Sequence, residues 1–241
     1  MKKIFTLIAV AAMAISANAQ EKYAIGADWT PSNGEEVQAT ASVKLQYGFD
    51  TKWQNKPEGS LDGYTNFITG AQNPKDGEPA SDGKSSGNGY KSASQNLPHS
   101  GVFYVFTTSA AGTIKLAVQL NGDKSFIFAD GADGSCLSAK ATFVDGEGNT
   151  VTYQEGDGVN EFSLYDKLVG YANLPVEANK TYYVFCVGSK LGVYGFEFIT
   201  STGINTVKTA AEDGAVYNLA GQKVDAAFKG IVIKNGRKII Q

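Results

Sequence analysis

Apolar and polar residues alternate over short segments of this chain, which is the pattern of half-buried β-strands. In residues 113–120 every second side chain is apolar. The inward positions predicted there are Ile114, Leu116, Val118 and Leu120, and the outward ones include Lys115 and Gln119. The same alternation places on one face of residues 43–49 the side chains Val43, Leu45, Tyr47 and Phe49. Residues 102–106 are apolar without interruption, which predicts a strand buried on both faces.

Further strands are predicted from similar patterns separated by turn residues. They cover residues 125–129, 140–144, 149–154, 159–165, 181–187 and 193–199. Asn121-Gly122 directly follows residues 113–120 and predicts a hairpin turn, because both residues tolerate a positive φ. No helical periodicity of three turns follows the first 19 residues. Short strands at this spacing predict an all-β fold, either a sandwich or a barrel.

Composition agrees with this fold class. The chain has 28 glycines among 241 residues, about 12% against a usual share of about 7%. Glycine costs about 1 kcal/mol relative to alanine inside a helix, so the composition disfavours a helix bundle. It also excludes a coiled coil, a disordered charged tail and a multispan membrane protein.

Residues 1–19 predict a secretory signal peptide. Lys2 and Lys3 precede an apolar run over residues 4–15, and Ala17-Asn18-Ala19 provides the small-x-small cleavage pattern. The run is shorter than the roughly 20 residues of a membrane span. We therefore expect an exported protein that begins at Gln20 and is extracellular or attached to the cell surface, with the periplasm as the alternative.

Charge narrows the choice of partners. After removal of Lys2 and Lys3 the chain has 19 basic and 24 acidic residues, a net charge of about −5. No cluster of basic residues exceeds two neighbours, and Arg237 is the one arginine. Nucleic acid requires a concentrated basic surface, so we expect no nucleic-acid partner.

The exported chain is expected to contain two parts. Residues 20–200 form the main β-domain, in which residues 70–98 are a long loop rich in Gly, Ser, Asn, Asp, Lys and Pro. Residues 201–203 are the linker. Residues 204–241 predict a small β-domain, where Asn235-Gly236 would close a second hairpin.

Catalytic chemistry has little support in these residues. His99 is the one histidine, and no Gly-x-Ser-x-Gly motif accompanies it. The acidic segment 155–161 could supply a carboxylate pair for glycoside cleavage. Gly156 and Gly158 would weaken the strand that must hold that pair, so a solvated turn is the preferred interpretation. We expect no enzyme and no cofactor.

Metal and disulfide chemistry leave alternatives open. Oxygen ligands for calcium occur in the loops at Asp130, Asp133, Asp145, Glu147 and Asn149. No EF-hand register is met there, because Thr150 stands where the loop glycine should be, and no metal site is assigned. Cys136 and Cys186 could pair in an oxidising compartment or remain free.

Carbohydrate binding needs flat aromatic faces beside polar groups. The candidates in the less regular half of the chain are Trp29, Trp53, Tyr47, Tyr64 and Tyr90. Trp53 is the first choice, because polar residues surround it in the sequence. Lys190 is a further candidate, since it would project at the tip of the turn bounded by Gly188 and Gly192.

Two segments resemble known families. Residues 97–106, Leu-Pro-His-Ser-Gly-Val-Phe-Tyr-Val-Phe, and residues 180–198 together resemble a jelly-roll module of exported Bacteroidetes proteins. Such modules often accompany polysaccharide-degrading domains. The resemblance covers residues 85–200 and implies a jelly-roll-like β-sandwich with a carbohydrate ligand. It does not assign sugar-binding residues.

The second resemblance lies in the tail. Tyr217-Asn218-Leu219-Ala220-Gly221-Gln222-Lys223-Val224, then Lys229-Gly230-Ile231 and Asn235-Gly236-Arg237-Lys238, is similar to an abbreviated C-terminal sorting domain of type IX secretion. This resemblance implies that residues 204–241 contact the secretion machinery.

The sequence therefore predicts an exported, non-enzymatic β-sandwich that binds a polysaccharide or glycan. The alternative is a structural or adhesive surface protein that binds another protein. A weaker alternative is a glycosidase or lyase that uses the acidic segment 155–161.

Overall fold

The chain divides into two compact units, Met1–Ser201 and Thr202–Gln241. A computed structural model describes residues 20–77, 96–151, 153–155, 162–164, 167–201, 216–218, 223–224, 229, 231–234 and 237–240. The predicted signal peptide, Tyr90, the acidic residues 156–161 and most of the long loop 70–98 lie outside these residues.

Two antiparallel sheets build the larger unit, and the described residues contain no α-helix. The first sheet has the strand order β4-β5-β14-β7-β12-β9, and β1 also pairs with β14. Its strands are β1 (Gln20–Ala24), β4 (Gln54–Leu61), β5 (Tyr64–Thr69), β7 (Gly112–Leu120), β9 (Thr142–Asp145), β12 (Leu168–Val176) and β14 (Gly192–Thr200).

The second sheet has the order β10-β11-β8-β13-β6-β3-β2. Its strands are β2 (Glu36–Gln38), β3 (Val43–Phe49), β6 (Gly101–Thr108), β8 (Lys124–Asp130), β10 (Tyr153–Glu155), β11 (Phe162–Leu164) and β13 (Lys180–Val187). A 3-10 turn, Ser138–Lys140, precedes β9. From β6 to β9 and from β11 to β14, successive strands alternate between the two sheets. This connectivity is jelly-roll-like and confirms the predicted all-β sandwich.

The main core lies between the two sheets and is rich in aromatic residues. Its fully buried members include Tyr47, Tyr104, Phe106, Phe126, Phe128, Phe143, Phe196 and Phe198. The alternation predicted for residues 113–120 is confirmed, since Ile114, Leu116, Val118 and Leu120 are all buried in this core. The uninterrupted run 102–106 is buried on both faces, also as predicted.

A β-bulge corrects the prediction for residues 43–49. Val43, Leu45 and Tyr47 point into the core, but the pairing of β3 with β6 shifts register between Tyr47 and Phe49. From the pair Tyr47–Tyr104 to the pair Phe49–Gly101, β6 advances by three residues and β3 by only two, and this irregularity interrupts the alternation of β3. Phe49 therefore lies on the outer side of the second sheet, with its ring 6.4 Å from that of Phe103.

The predicted hairpin at Asn121-Gly122 is wrong. β7 pairs with β12 and β14, whereas β8 pairs with β11 and β13, so the connection crosses from one sheet to the other. The positive φ of this turn belongs to Asp123. The predictions also missed β12, a central strand, because Gly170, Ala172 and Pro175 dilute its apolar pattern.

The smaller unit contains a four-stranded antiparallel sheet of order β16-β15-β17-β18. Its strands are β15 (Val216–Asn218), β16 (Lys223–Val224), β17 (Ile231–Lys234) and β18 (Arg237–Ile240). Lys234 pairs with Arg237, so β17 and β18 form the predicted hairpin. The turn residues 235–236 lie outside the described residues.

Among the residues that the structure describes, no helix is long and apolar enough to cross a membrane.

Gly101 shows how closely the segments around β6 are packed. It has a φ of +83°, and an added Cβ would lie 2.3 Å from the carbonyl oxygen of Asn73. Only glycine adopts this backbone conformation without strain. The position therefore fixes where the segment 96–100 enters β6.

We expect Gly101→Ala to lower the free energy of unfolding by about 2–4 kcal/mol, because it combines backbone strain with a collision. Gly26→Ala is the matched control, since nothing lies within 4 Å of its added Cβ; its effect should stay within about 0.5 kcal/mol. Urea denaturation of the two variants measures both. Equal stabilities would contradict the packing described here.

Candidate functional site

The aromatic residues that were predicted to bind a sugar are mostly buried. Trp53, Tyr47 and Tyr64 are 8%, 0% and 3% exposed, so these rings do not present a face to a sugar. Trp29 is half-buried and packs edge-on against Tyr47, with ring centroids 5.2 Å apart. Burial of large aromatic rings is a strong source of core stability, which accounts for their position.

The polar residues near Trp53 hold backbone groups. Asn33 Oδ1 accepts hydrogen bonds from Trp53 Nε1 at 2.9 Å and from the amide of Asp50 at 3.0 Å. The buried Asp50 carboxylate accepts three backbone hydrogen bonds at 2.7–2.8 Å, from Lys52, Ala71 and Gln72. These hydrogen bonds join the loop that contains Asn33 to the segments at residues 50–52 and 71–72.

The remaining predicted residues do not converge on one site. Tyr64 lies on the outer side of the first sheet, where Lys22 Nζ is 4.4 Å from its ring centroid. Lys190 is half-buried in the turn between β13 and β14, where Asn121 Nδ2 donates to Ser189 Oγ at 2.8 Å.

Of the loop carboxylates that suggested calcium, those of Asp130, Asp133 and Asp145 accept hydrogen bonds from the protein itself. Asp145 Oδ1 accepts the amides of Glu147 and Asn149, and its Oδ2 accepts the side-chain amide of Asn149. These hydrogen bonds lower the pKa of Asp145. In the described part of the chain no group of three His, Cys, Asp or Glu side chains is arranged to hold a metal ion.

Cys136 and Cys186 form no disulfide with each other and contact different clusters. Cys186 is buried in the core between the sheets, and burial raises the pKa of its thiol to about 12. Cys136 packs instead against the cluster on the outer side of the second sheet. The body of the second sheet therefore separates the two side chains.

That outer cluster brings a different aromatic ring to the surface. Its buried members are Phe103, Val105, Ile127, Ala129 and Phe185, and we call it the outer apolar cluster. Tyr183 packs against it and is half-buried. Its ring stacks on Phe103, with centroids 5.8 Å apart and an interplanar angle of 21°. Partial burial raises the pKa of the Tyr183 phenol.

Hydroxyl groups lie on the same side of the sheet, two residues from Tyr183. Thr181 and Thr107 are paired across β13 and β6, and their hydroxyl oxygens are 3.1 Å apart. Residues i and i+2 of a strand share a face and are separated by about 6.6 Å. An aromatic ring and a pair of hydroxyls are therefore adjacent on this surface.

Thr181 also lines a depression of about 320 Å³. The other lining residues are Asp130, Gly131, Ala132, Asn179 and Lys180. We call Tyr183, Thr107, Thr181 and this depression the Tyr183 site.

Partly buried hydrogen bonds anchor the turn that borders the depression. The phenol oxygen of Tyr182 accepts the amide of Glu177 at 2.8 Å, and Thr108 Oγ1 donates to the carbonyl of Glu177 at 2.7 Å. Asn179 has a φ of +58°, and its amide donates to the carbonyl of Thr108. The turn between β12 and β13 is thus anchored to β6.

Ion pairs define the electrostatics of the depression. Lys180 Nζ lies 3.2 Å from Glu177 Oε2 and 3.6 Å from Asp130 Oδ2. The hydrogen bond to Glu177 raises the pKa of Lys180, and the charges of Glu177 and Asp130 add to the effect. Hydrogen bonds from Ser135 lower the pKa of the nearby Asp133, with a smaller contribution from Lys180.

Sequence reasoning missed Tyr183 because it lies within the apolar run 182–187. Such a run predicts burial on both faces. The available signal was the neighbouring pair Tyr182 and Tyr183, which must point to opposite sides of the strand. The sequence alone did not show which side would be covered.

The residues considered for catalysis add nothing to this surface. His99 is exposed in the segment before β6. The acidic residues 156–161 lie outside the described residues, and Glu155 is described only as part of β10.

No protein-family model matches the chain, and no curated protein matches it.

Proposed function

We propose that the protein is an exported, non-enzymatic module that binds a carbohydrate at the Tyr183 site. The observation that carries this proposal is the half-buried Tyr183 ring, stacked on Phe103 beside the hydroxyls of Thr107 and Thr181. A rigid ring covers the apolar face of a sugar, and nearby hydroxyls and charged groups bind its polar edge.

The support comes from the order of these groups along β13. Tyr183 and Thr181 lie on β13, and the depression extends from Thr181 to the preceding turn residue Asn179. From residue 180 to residue 183 the strand extends about 10 Å. That length suits a saccharide of two or three units better than a single sugar.

Rigidity favours binding as well. The Tyr183 ring is supported by a buried cluster, and the turn beside the depression is anchored by partly buried hydrogen bonds. A surface that is already ordered loses little conformational entropy when a ligand binds.

We expect Tyr183→Ala to weaken binding about tenfold or more, because an aromatic anchor commonly carries over 1.4 kcal/mol of binding energy. Tyr183→Phe should bind as the wild type does, since it keeps the ring that stacks on Phe103. Affinity gel electrophoresis in a panel of soluble neutral polysaccharides, followed by calorimetry with the best of them, measures these affinities.

Tyr171→Ala is the matched control, because Tyr171 is a half-buried tyrosine on the outer side of the other sheet. Circular dichroism verifies that each variant is folded. Retention of full affinity by a folded Tyr183→Ala variant would reject this site. Retardation by no polysaccharide would favour the alternative of a surface protein that binds another protein.

Export is a separate part of the proposal. The signal-peptide pattern of residues 1–19 and the resemblance of residues 204–241 to a type IX sorting domain support it. The small unit 202–241 would be the sorting signal, and the sandwich would be the domain that is secreted.

Deletion of residues 204–241 should leave the protein in the periplasm of a host with type IX secretion, whereas the full chain should reach the medium or the cell surface. Immunoblots of cell fractions measure the distribution, and retained sugar binding by the shortened protein shows that the sandwich is folded. Equal export of both forms would contradict a sorting role.

A further inference from the structure

The Tyr183 site has an unbalanced set of charges at its depression. One ammonium group, that of Lys180, is shared by the carboxylates of Asp130 and Glu177. A third carboxylate, that of Asp133, is close enough for the charge of Lys180 to lower its pKa. Two negative charges therefore share one positive charge at the depression, and Asp133 adds a third negative charge nearby.

The charged pair beside Thr107 on the outer side of the second sheet does not change this balance. Lys44, in the same row of paired residues as Thr107 and Thr181, forms an ion pair of 2.9 Å with Glu36. These two charges cancel. The stretch 20–201 as a whole has 21 acidic and 13 basic residues, so its average field is also negative.

We infer that the Tyr183 site selects glycans by charge and binds uncharged or cationic chains while rejecting chains that carry carboxylates. This inference rests on the proposed function and adds the class of ligand. A carboxylate beside Asp130 and Glu177 would be repelled by their negative charges. The ammonium group of Lys180 offers little compensation, because it already forms ion pairs with both of these carboxylates. A neutral sugar meets no such repulsion.

The test uses one polysaccharide in three chemical forms. It is the neutral polysaccharide that retards the protein most strongly in the panel above. Part of it is carboxymethylated, and part is substituted to the same degree with diethylaminoethyl groups. The backbone stays the same, so that only the charge differs.

At about 20 mM salt, where the Debye length is roughly 20 Å, we expect the carboxymethyl form to bind the wild type at least about fivefold more weakly than the native form. The diethylaminoethyl form should bind at least as well as the native form. At about 0.5 M salt the three affinities should agree within about twofold, because exposed charges are then screened.

In the double variant Asp130→Asn, Glu177→Gln, the native and carboxymethyl forms should bind with affinities within about twofold of each other at low salt, whatever the change in affinity for the native form. Asp62→Asn, Glu147→Gln is the matched control, with the same change of charge at two exposed residues in turns of the first sheet. This control should keep the discrimination.

Carboxymethyl binding equal to or stronger than native binding at low salt would overturn the inference, while the proposed function would stand. Loss of discrimination in the control variant would also overturn it, because the average charge of the protein would then be responsible. Failure of all three forms to bind would reject the proposed function itself.

Discussion

The register of β6, β13 and β8 is the constraint on which the Tyr183 site depends. Side chains along a strand point alternately to the two sides of a sheet, so a slip of one residue would exchange every inward and outward position. Tyr104, Phe106, Tyr182, Val184, Phe126 and Phe128 all point into the core between the sheets. Because these residues fill the core, Tyr183 must lie on the outer side, opposite Val105 and Ala129. The core thus determines which tyrosine of the pair is available to a ligand.

The same packing explains why the aromatic rings have different roles. Trp53, Tyr47 and Tyr104 contact one another edge-on or at a tilt within the core, and Tyr104 donates hydrogen bonds to the carbonyls of Ile68 and Leu191. These rings join the sheets to each other. Tyr183 joins nothing across the core, and its loss should affect binding more than the fold. This separation of structural from exposed rings makes the proposed function testable by substitution.

The sequence predicted the strands whose patterns are strong, such as residues 113–120, because apolar alternation follows directly from burial of one face. It did not predict pairing. Asn121-Gly122 satisfies the local preference for a hairpin, but β7 and β8 belong to different sheets, and that arrangement depends on residues far away in the chain.

Phe49 was placed on the wrong side because a bulge leaves no mark in the alternation. Trp53 was favoured for its polar neighbours, yet Asn33 and the region around Asp50 use their polar groups to satisfy backbone and indole donors. Tyr183 was missed since an apolar run hides which of its faces is covered.

Backbone amide shifts, followed by NMR during titration with a fragment of two to four sugars from the bound polysaccharide, test the central claim most directly. The account predicts saturable shifts at Thr107, Gly131, Asn179, Thr181 and Tyr183, on neighbouring strands and turns of the second sheet. Residues on the outer side of the first sheet, such as Tyr171 and Glu197, should remain unchanged. Saturable shifts centred on that other surface, with Thr181 and Tyr183 unaffected, would contradict the account.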